Sequence, residues 1–412
     1  MKVYFVSLGC PKNLTDTEVL MGKLTAAGHT ITIQPSEADM IIINTCSFLK
    51  TARNEALATI KEMAKWKKKG KCKKLYIAGC LPKYPSPSCL PAGKVGNWTL
   101  DIDGVIDSIG LFDYCTPRIK ATPPWTAYVK IAEGCNNCCS YCLVPSIRGK
   151  LRLRKIGDII KEVEILAKKG VKEVIFIAQD TTAHPDLPEI LHKAARIRGI
   201  RWLRIMYAHP AHVTDKLIAV MAKERKIVKY LDLPIQHAHA KILRLMKRRY
   251  DGPDLENLIS KIRRQIPKIA LRTSVIVGFP GEGEAEFQEL LNFIRKEKFA
   301  RLGCFTYQKE EGTPASKMRE QVSEKIKIER ANKIMRAQGR VSRELNRKLV
   351  GQTLNILIEK AIKDGFRGRS VMDAPEIDGS VFVSSSKTLK PGEIVSARVT
   401  GARTYDLFGL VT

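Results

Sequence analysis

Gly134-Cys135-Asn136-Asn137-Cys138-Cys139-Ser140-Tyr141-Cys142-Leu143-Val144-Pro145 packs four cysteines into eight residues, directly after the strand-like run Ala127-Tyr128-Val129-Lys130-Ile131-Ala132. Cys135, Cys139 and Cys142 have the spacing Cys-x-x-x-Cys-x-x-Cys. That spacing lets one short loop wrap three thiolates around one face of a cubane iron–sulfur cluster, leaving the fourth iron without a protein ligand. An open iron is a place for a substrate or cofactor to bind, like the open position of a catalytic zinc. The alternatives are a zinc knuckle and a disulfide staple. Zinc would need a fourth protein ligand, and neither a histidine nor a second Cys-x-x-Cys pair lies nearby.

The bulk numbers agree with a metal-handling protein. A chain of 412 residues exceeds one ordinary core, so about two or three domains are expected. With 44% hydrophobic residues and no long apolar run, the chain reads as soluble, with no membrane partner. The start, Met1 to Cys10, lacks the pattern of a signal peptide and reads as a first strand, which points to the cytoplasm. Eleven cysteines, an odd number gathered in motifs, then favour metal ligation over disulfides. Lys and Arg number 71 against 42 Asp and Glu, a formal net charge of +29. Such a balance implies a polyanionic partner, most simply a nucleic acid. The densest basic run spans Lys65 to Lys74, where a solvated helix end and an RNA-facing patch are equal alternatives.

Residues 1–118 read as an α/β unit. Strands are expected at Val3–Val6, Met40–Ile43 and Leu75–Ala78, with a helix from about Thr15 that ends at Gly28. Cys10, Cys46 and Cys80 each fall just past the carboxyl end of a different strand. In an open parallel sheet those ends share one edge, where ligand sites form. A second three-thiolate cluster site and three buried thiols are equal alternatives on placement alone. Cys72, Cys89, Cys115 and Cys304 fit no motif and read as ordinary thiols.

Beyond a proline-bearing linker, residues 121–350 alternate strand and helix. Strands are expected near Tyr128–Ala132, Val174–Ala178, Trp202–Tyr207, Lys229–Pro234, Leu271–Val277 and Arg301–Tyr307. Such alternation gives a parallel sheet with right-handed crossovers, functional residues gathering at the carboxyl strand ends. Candidates there are Gln179-Asp180, His209, Gln236-His237 and the loop Gly278-Phe279-Pro280-Gly281-Glu282. Gly278 and Gly281 would let backbone approach an adenosine closely. Ser323 to about Val350 is a charged helix, and residues 351–412 read as short strands of a small β-barrel.

The cysteine spacing after the first strand of a βα series resembles the radical S-adenosylmethionine enzymes. Ser7-Leu8-Gly9-Cys10-Pro11-Lys12-Asn13, Asn44-Thr45-Cys46-Ser47-Phe48 and Ala78-Gly79-Cys80 resemble the three cysteine motifs of the methylthiotransferase amino-terminal domain. The tail resembles a TRAM domain, a module associated with RNA. Residues 81–100, rich in Pro, Ser and Gly, depart from the family pattern. The resemblance implies an α/β enzyme of three parts: an amino-terminal sheet domain, a partial (β/α)6 barrel and a TRAM-like β-barrel. It implies two 4Fe-4S clusters, on Cys10, Cys46 and Cys80 and on Cys135, Cys139 and Cys142, with Gln179, Gly278 and Gly281 also near the cofactor. S-adenosylmethionine would serve twice, as methyl donor and as radical source, and an electron donor would be needed. Ala374-Pro375-Glu376-Ile377-Asp378-Gly379 and Tyr405-Asp406-Leu407 resemble the branch that modifies an aspartate β carbon in small-subunit ribosomal protein twelve. Ribosomal RNA would then be a partner and DNA would not; the alternative branch modifies an adenosine in transfer RNA.

Overall fold

The computed structural model of the chain describes residues 1–84, 94–95 and 98–412; Cys89 and the middle of the divergent 81–100 segment lie outside them. Near the amino terminus five parallel strands form one sheet: β1 (Lys2–Ser7), β2 (Thr30–Thr32), β3 (Met40–Thr45), β4 (Lys74–Gly79) and β5 (Gly104–Ile106), in the order β2-β1-β3-β4-β5. β3, Met-Ile-Ile-Ile-Asn-Thr, is buried along its whole length, as a central strand covered on both faces must be. β2 and β5 are three-residue edge strands that periodicity does not reveal.

The first helix, α1 (Pro11–Ala26), starts earlier than its hydrophobic pattern suggests. Pro11 fits the first turn, where no backbone donor is needed, and makes Cys10 the capping residue. Its most buried residues are polar: Asn13, Thr15, Asp16, Thr17 and Glu18. Leu20 and Leu24 pack half-buried on the sheet, while the polar face meets the next domain. The second helix, α2, spans Lys50–Ala64.

Six parallel strands follow: β6 (Thr126–Lys130), β7 (Glu173–Ile177), β8 (Trp202–Ile205), β9 (Tyr230–Asp232), β10 (Ala270–Val277) and β11 (Arg301–Thr306). They pair as β8-β7-β6 and β9-β10-β11, and a parallel bridge from Leu203 to Ile227 links the two halves. β6 and β11 remain the outer strands, so this is an open, partial barrel. Among its helices are α3 (Val144–Arg148), α4 (Ile156–Lys168), α5 (Leu187–Ala195), α6 (Asp215–Lys223), α7 (Gly252–Gln265), α8 (Glu284–Glu297) and the long α9 (Glu324–Arg347). One continuous apolar core, including Val129, Phe176, Leu203, Val275 and Phe287, fills the space between strands and helices.

The tail closes into a five-stranded barrel: β12 (Thr353–Ile362), β13 (Gly365–Ser370), β14 (Val381–Ser384), β15 (Ile394–Ala402) and β16 (Leu407–Val411). Glu173, at the foot of β7, ties it to the core, accepting from Arg369 of β13 and, at 3.0 Å, from Arg204 of β8. Among the described residues no helix is long and apolar enough to cross a membrane.

Candidate active site

The two cysteine triads meet at the seam between the first sheet and the partial barrel. Cys10 caps α1, Cys46 follows β3 and Cys80 follows β4, so three adjacent strand ends deliver three thiols to one edge. Gly9, at φ +89°, is tight against this edge: a Cβ there would lie 2.7 Å from Cys46 Cβ. Burial pushes the Cys10 thiol up, yet Lys12, the Asn13 and Lys12 backbone N–H groups and Arg148 outweigh it and hold the group below its ordinary value. Cys80 is the opposite case, pushed up by burial to about 11 despite Arg148.

The second triad lies on the loop between β6 and α3. The Asn137 N–H donates to Cys135 Sγ and the Val144 N–H to Cys142 Sγ, both at 3.4 Å. Arg248 Nη1 donates to Cys139 Sγ, also at 3.4 Å. Cys142 is pushed up to about 12, chiefly by burial. Donors aimed at each sulfur are the surroundings a cluster thiolate requires. Cys138 points elsewhere, exposed, its Sγ 3.8 Å from the Asn136 carbonyl.

Both triads suit a cluster better than a single ion. All six cysteines are free thiols. Among the described residues, the one trio of His, Cys, Asp or Glu ligand atoms lying within 4.8 Å of one another is Asp180, His209 and His212. Thiolates around one tetrahedral zinc would sit about 3.8 Å apart, given zinc–sulfur bonds of about 2.3 Å. Neither triad is that tight, and a cubane would hold its three thiolates farther apart than a single zinc does.

A buried polar network joins the triads, and sequence patterns did not reveal it. Lys130 on β6 pairs with Asp16 of α1 and, at 2.6 Å, with Glu133. Arg148, on the helix that follows Cys142, reaches Asp16 at 2.7 Å, Asn13 Oδ1 at 3.1 Å and Cys80 Sγ at 3.2 Å. Gln179 joins the same network, its Nε2 donating to Glu133 at 2.5 Å while its Oε1 accepts from Gly134 N–H at 2.9 Å. It therefore braces the cysteine loop. The one signal in the sequence was charge: Asp16, Lys130, Glu133 and Arg148 sit in or beside motifs whose neighbours are buried.

The other strand-end candidates fall into place around the rim. Asp180 Oδ2 accepts from Asn137 Nδ2 at 2.8 Å and lies 2.7 Å from His212 Nδ1, so it steadies the cysteine loop from the other side. His209 stacks on His212, and burial, reinforced by Arg248, pushes it down to about 3. His237 is wholly buried, 3.4 Å from Glu282. Gly278 and Gly281 have φ +70° and +82°. The space a Cβ would take at Gly278 is filled by the stem of Lys327, with Cγ 2.2 Å away, so a close backbone packing accounts for that glycine. Lys12 lies 3.2 Å over the Tyr207 ring, bringing the Cys10 loop onto the barrel rim.

Comparison with known proteins decides the family. Residues 2–94 match the uncharacterized protein family UPF0004, 129–294 the radical SAM superfamily and 350–411 the TRAM domain. The ribosomal protein uS12 methylthiotransferase RimO of Pelotomaculum thermopropionicum is 44% identical over 99% of this chain and 99% of its own. The RimO protein of Geobacter sulfurreducens is 42% identical over 99% of this chain and 98% of its own. The chain belongs to the RimO methylthiotransferase family. Among solved structures, the radical S-adenosylmethionine methyltransferase TsrM of Kitasatospora setae, with cobalamin and a 4Fe-4S cluster bound, covers 86% of this chain and 80% of its own. Its TM-score is 0.56 at 11% identity, a likeness of fold. Within the RimO family frame, the six cysteines of this chain occupy the two edges that face each other across the seam.

Proposed function

We propose that this chain methylthiolates the β carbon of an aspartate in small-subunit ribosomal protein uS12. Cys10, Cys46 and Cys80 would hold one 4Fe-4S cluster and Cys135, Cys139 and Cys142 the other. The observation that carries the reading is Arg148, which leaves the loop of one triad and bonds a cysteine of the other. When bound, the clusters and S-adenosylmethionine supply the methyl group, the sulfur carrier and the radical that opens an unactivated C–H bond. Such a bond offers no acidic proton, so the side chains here serve to bind and orient, not to abstract.

The chain's own residues divide that work. Arg148, Asp16, Lys130 and Glu133 fix the spacing of the two edges. Gln179 and Asp180 hold the cysteine loop on opposite sides, through Gly134 N–H and Asn137. Arg248 and the backbone donors at Asn137 and Val144 neutralise sulfur charge. An external electron donor and a cytoplasmic setting complete the reading. The test is mass spectrometry after reconstitution with purified ribosomal subunits and with transfer RNA. A methylthio mass is expected on uS12 and none on transfer RNA; the reverse result would assign the adenosine-modifying activity instead.

A further inference from the structure

The charge of +29 is unevenly placed. The tail barrel, residues 351–412, has eight Lys and Arg against seven Asp and Glu, so it is nearly neutral. Helix α9 has eight against three. Arg336, Arg340, Arg343 and Arg347 recur every three or four residues, a single stripe about 17 Å long. All four are exposed. Among the described residues none of them pairs with a carboxylate, whereas Lys67 of the lysine run is taken up by Asp101 and Asp103, each at 2.8 Å.

The stripe forms one wall of a groove. Its other wall is the barrel loop at Thr404, fixed by Arg343 Nη2 donating to Thr404 Oγ1 at 3.1 Å and by Asn346 Nδ2 donating to the Arg403 and Thr404 carbonyls, both at 3.2 Å. The space has a volume of about 610 Å³ and is lined by the four arginines, Lys348 and Thr404. Glu344, the acid in that lining, is already neutralised by Lys298 at 3.0 Å and Lys348 at 2.9 Å.

We propose that this groove binds the phosphate backbone of ribosomal RNA beside the substrate loop of the small subunit, a reading that rests on the function proposed above. Guanidinium forks match phosphate oxygens in pairs, and four without a carboxylate partner, in register, leave a site that an RNA strand neutralises. The wall offers few groups for reading bases, so it positions the enzyme and leaves selection to the barrel mouth. The RNA-binding role is thereby assigned to the helix entering the tail, not to the tail barrel itself.

The test measures binding of the reconstituted full chain to purified bacterial small ribosomal subunits across a range of salt. Wild type should show a steep fall of log K with log salt. Arg340→Gln with Arg343→Gln should flatten that slope by about 2, one for each phosphate no longer neutralised. Arg340→Lys with Arg343→Lys should restore most of it, because charge sets the slope. Lys387→Gln with Lys390→Gln, on the tail barrel, should leave it unchanged, and unaltered iron content and thermal transition certify the fold of every variant. An unchanged slope in the glutamine pair overturns the groove while leaving the function intact. Equal loss of binding to isolated uS12 also overturns it, by making the groove a protein-binding surface. Wild type that binds transfer RNA but not subunits removes the proposed function, and the ribosomal RNA assignment with it.

Discussion

Arg148 donates to Cys80 Sγ at 3.2 Å from a helix that begins at Val144, two residues beyond Cys142. One loop thus carries three cysteines and also the cation that bonds a cysteine of the other triad. The guanidinium is almost fully buried and shares Asp16 and Glu133 with Lys130, so two cations face two carboxylates.

Arg148→Gln removes one cation from that set and leaves a carboxylate uncompensated. Breaking a buried pair from one side costs about 3–5 kcal/mol. The thermal transition should fall by several degrees, and the iron lost on gel filtration should come from the amino-terminal site. Arg148→Lys keeps the charge but not the fork, and should fall between the two. Calorimetry together with iron assay decides this; a glutamine variant with wild-type stability and full iron would refute the bridging role.

Cys138→Ala should retain all iron and all cleavage of S-adenosylmethionine, since its thiol is exposed and bonded only to its own loop. Cys139→Ala should lose about half the iron and cleavage entirely, because its sulfur is the one Arg248 addresses. Formation of 5′-deoxyadenosine under reduction is the measurement. The opposite pattern would mean that the loop is read in the wrong register.

Replacing Cys10, Cys46 and Cys80 together by Ala should remove about four of about eight irons and leave cleavage detectable. Replacing Cys135, Cys139 and Cys142 should remove a similar amount and abolish cleavage. Iron content with a deoxyadenosine assay separates the two sites; full iron in the first variant would exclude a cluster at the amino-terminal edge.

Glu173 predicts how acid releases the tail. Burial alone would raise its carboxyl, but Arg369 and Arg204 reverse this and take it from 4.5 to about 2. A folded pKa below the unfolded one gives stability that is complete above the unfolded value and lost as pH falls through the folded one. The window is therefore about pH 4.5 to 2, and the contribution is on the order of 3 kcal/mol. Urea unfolding followed across that range should steepen in wild type and flatten in Glu173→Gln. Parallel curves would deny the carboxylate this part.

Much of the architecture was legible because its signals are local. β3 announces itself by Met-Ile-Ile-Ile, and the βα alternation by apolar runs separated by helical faces. The cysteine loops were legible because ligand spacing is covalent. What escaped was set by distant partners. β13, Gly-Phe-Arg-Gly-Arg-Ser, has no alternation of its own and becomes a strand because the barrel needs a pair for β12. The polar face of α1 carries no apolar pattern to mark it as buried, yet it packs against Lys130, Arg118 and Arg148, residues about a hundred positions or more away. Gln179 sits at the expected strand end, but its role as a brace depends on Gly134 and Glu133, which no periodicity links to it.

The lattice of Asp16, Lys130, Glu133 and Arg148 also sets a rule of reach. Spreading the two domains would part Asp16 from Lys130 and Arg148 and leave Glu133 alone against two cations, so the gap between the triads behaves as a caliper locked at one width. A target cannot be engulfed by closing jaws; it must arrive on something slender enough to enter. A side chain at the tip of a protruding loop meets that requirement, and one on a broad folded face does not.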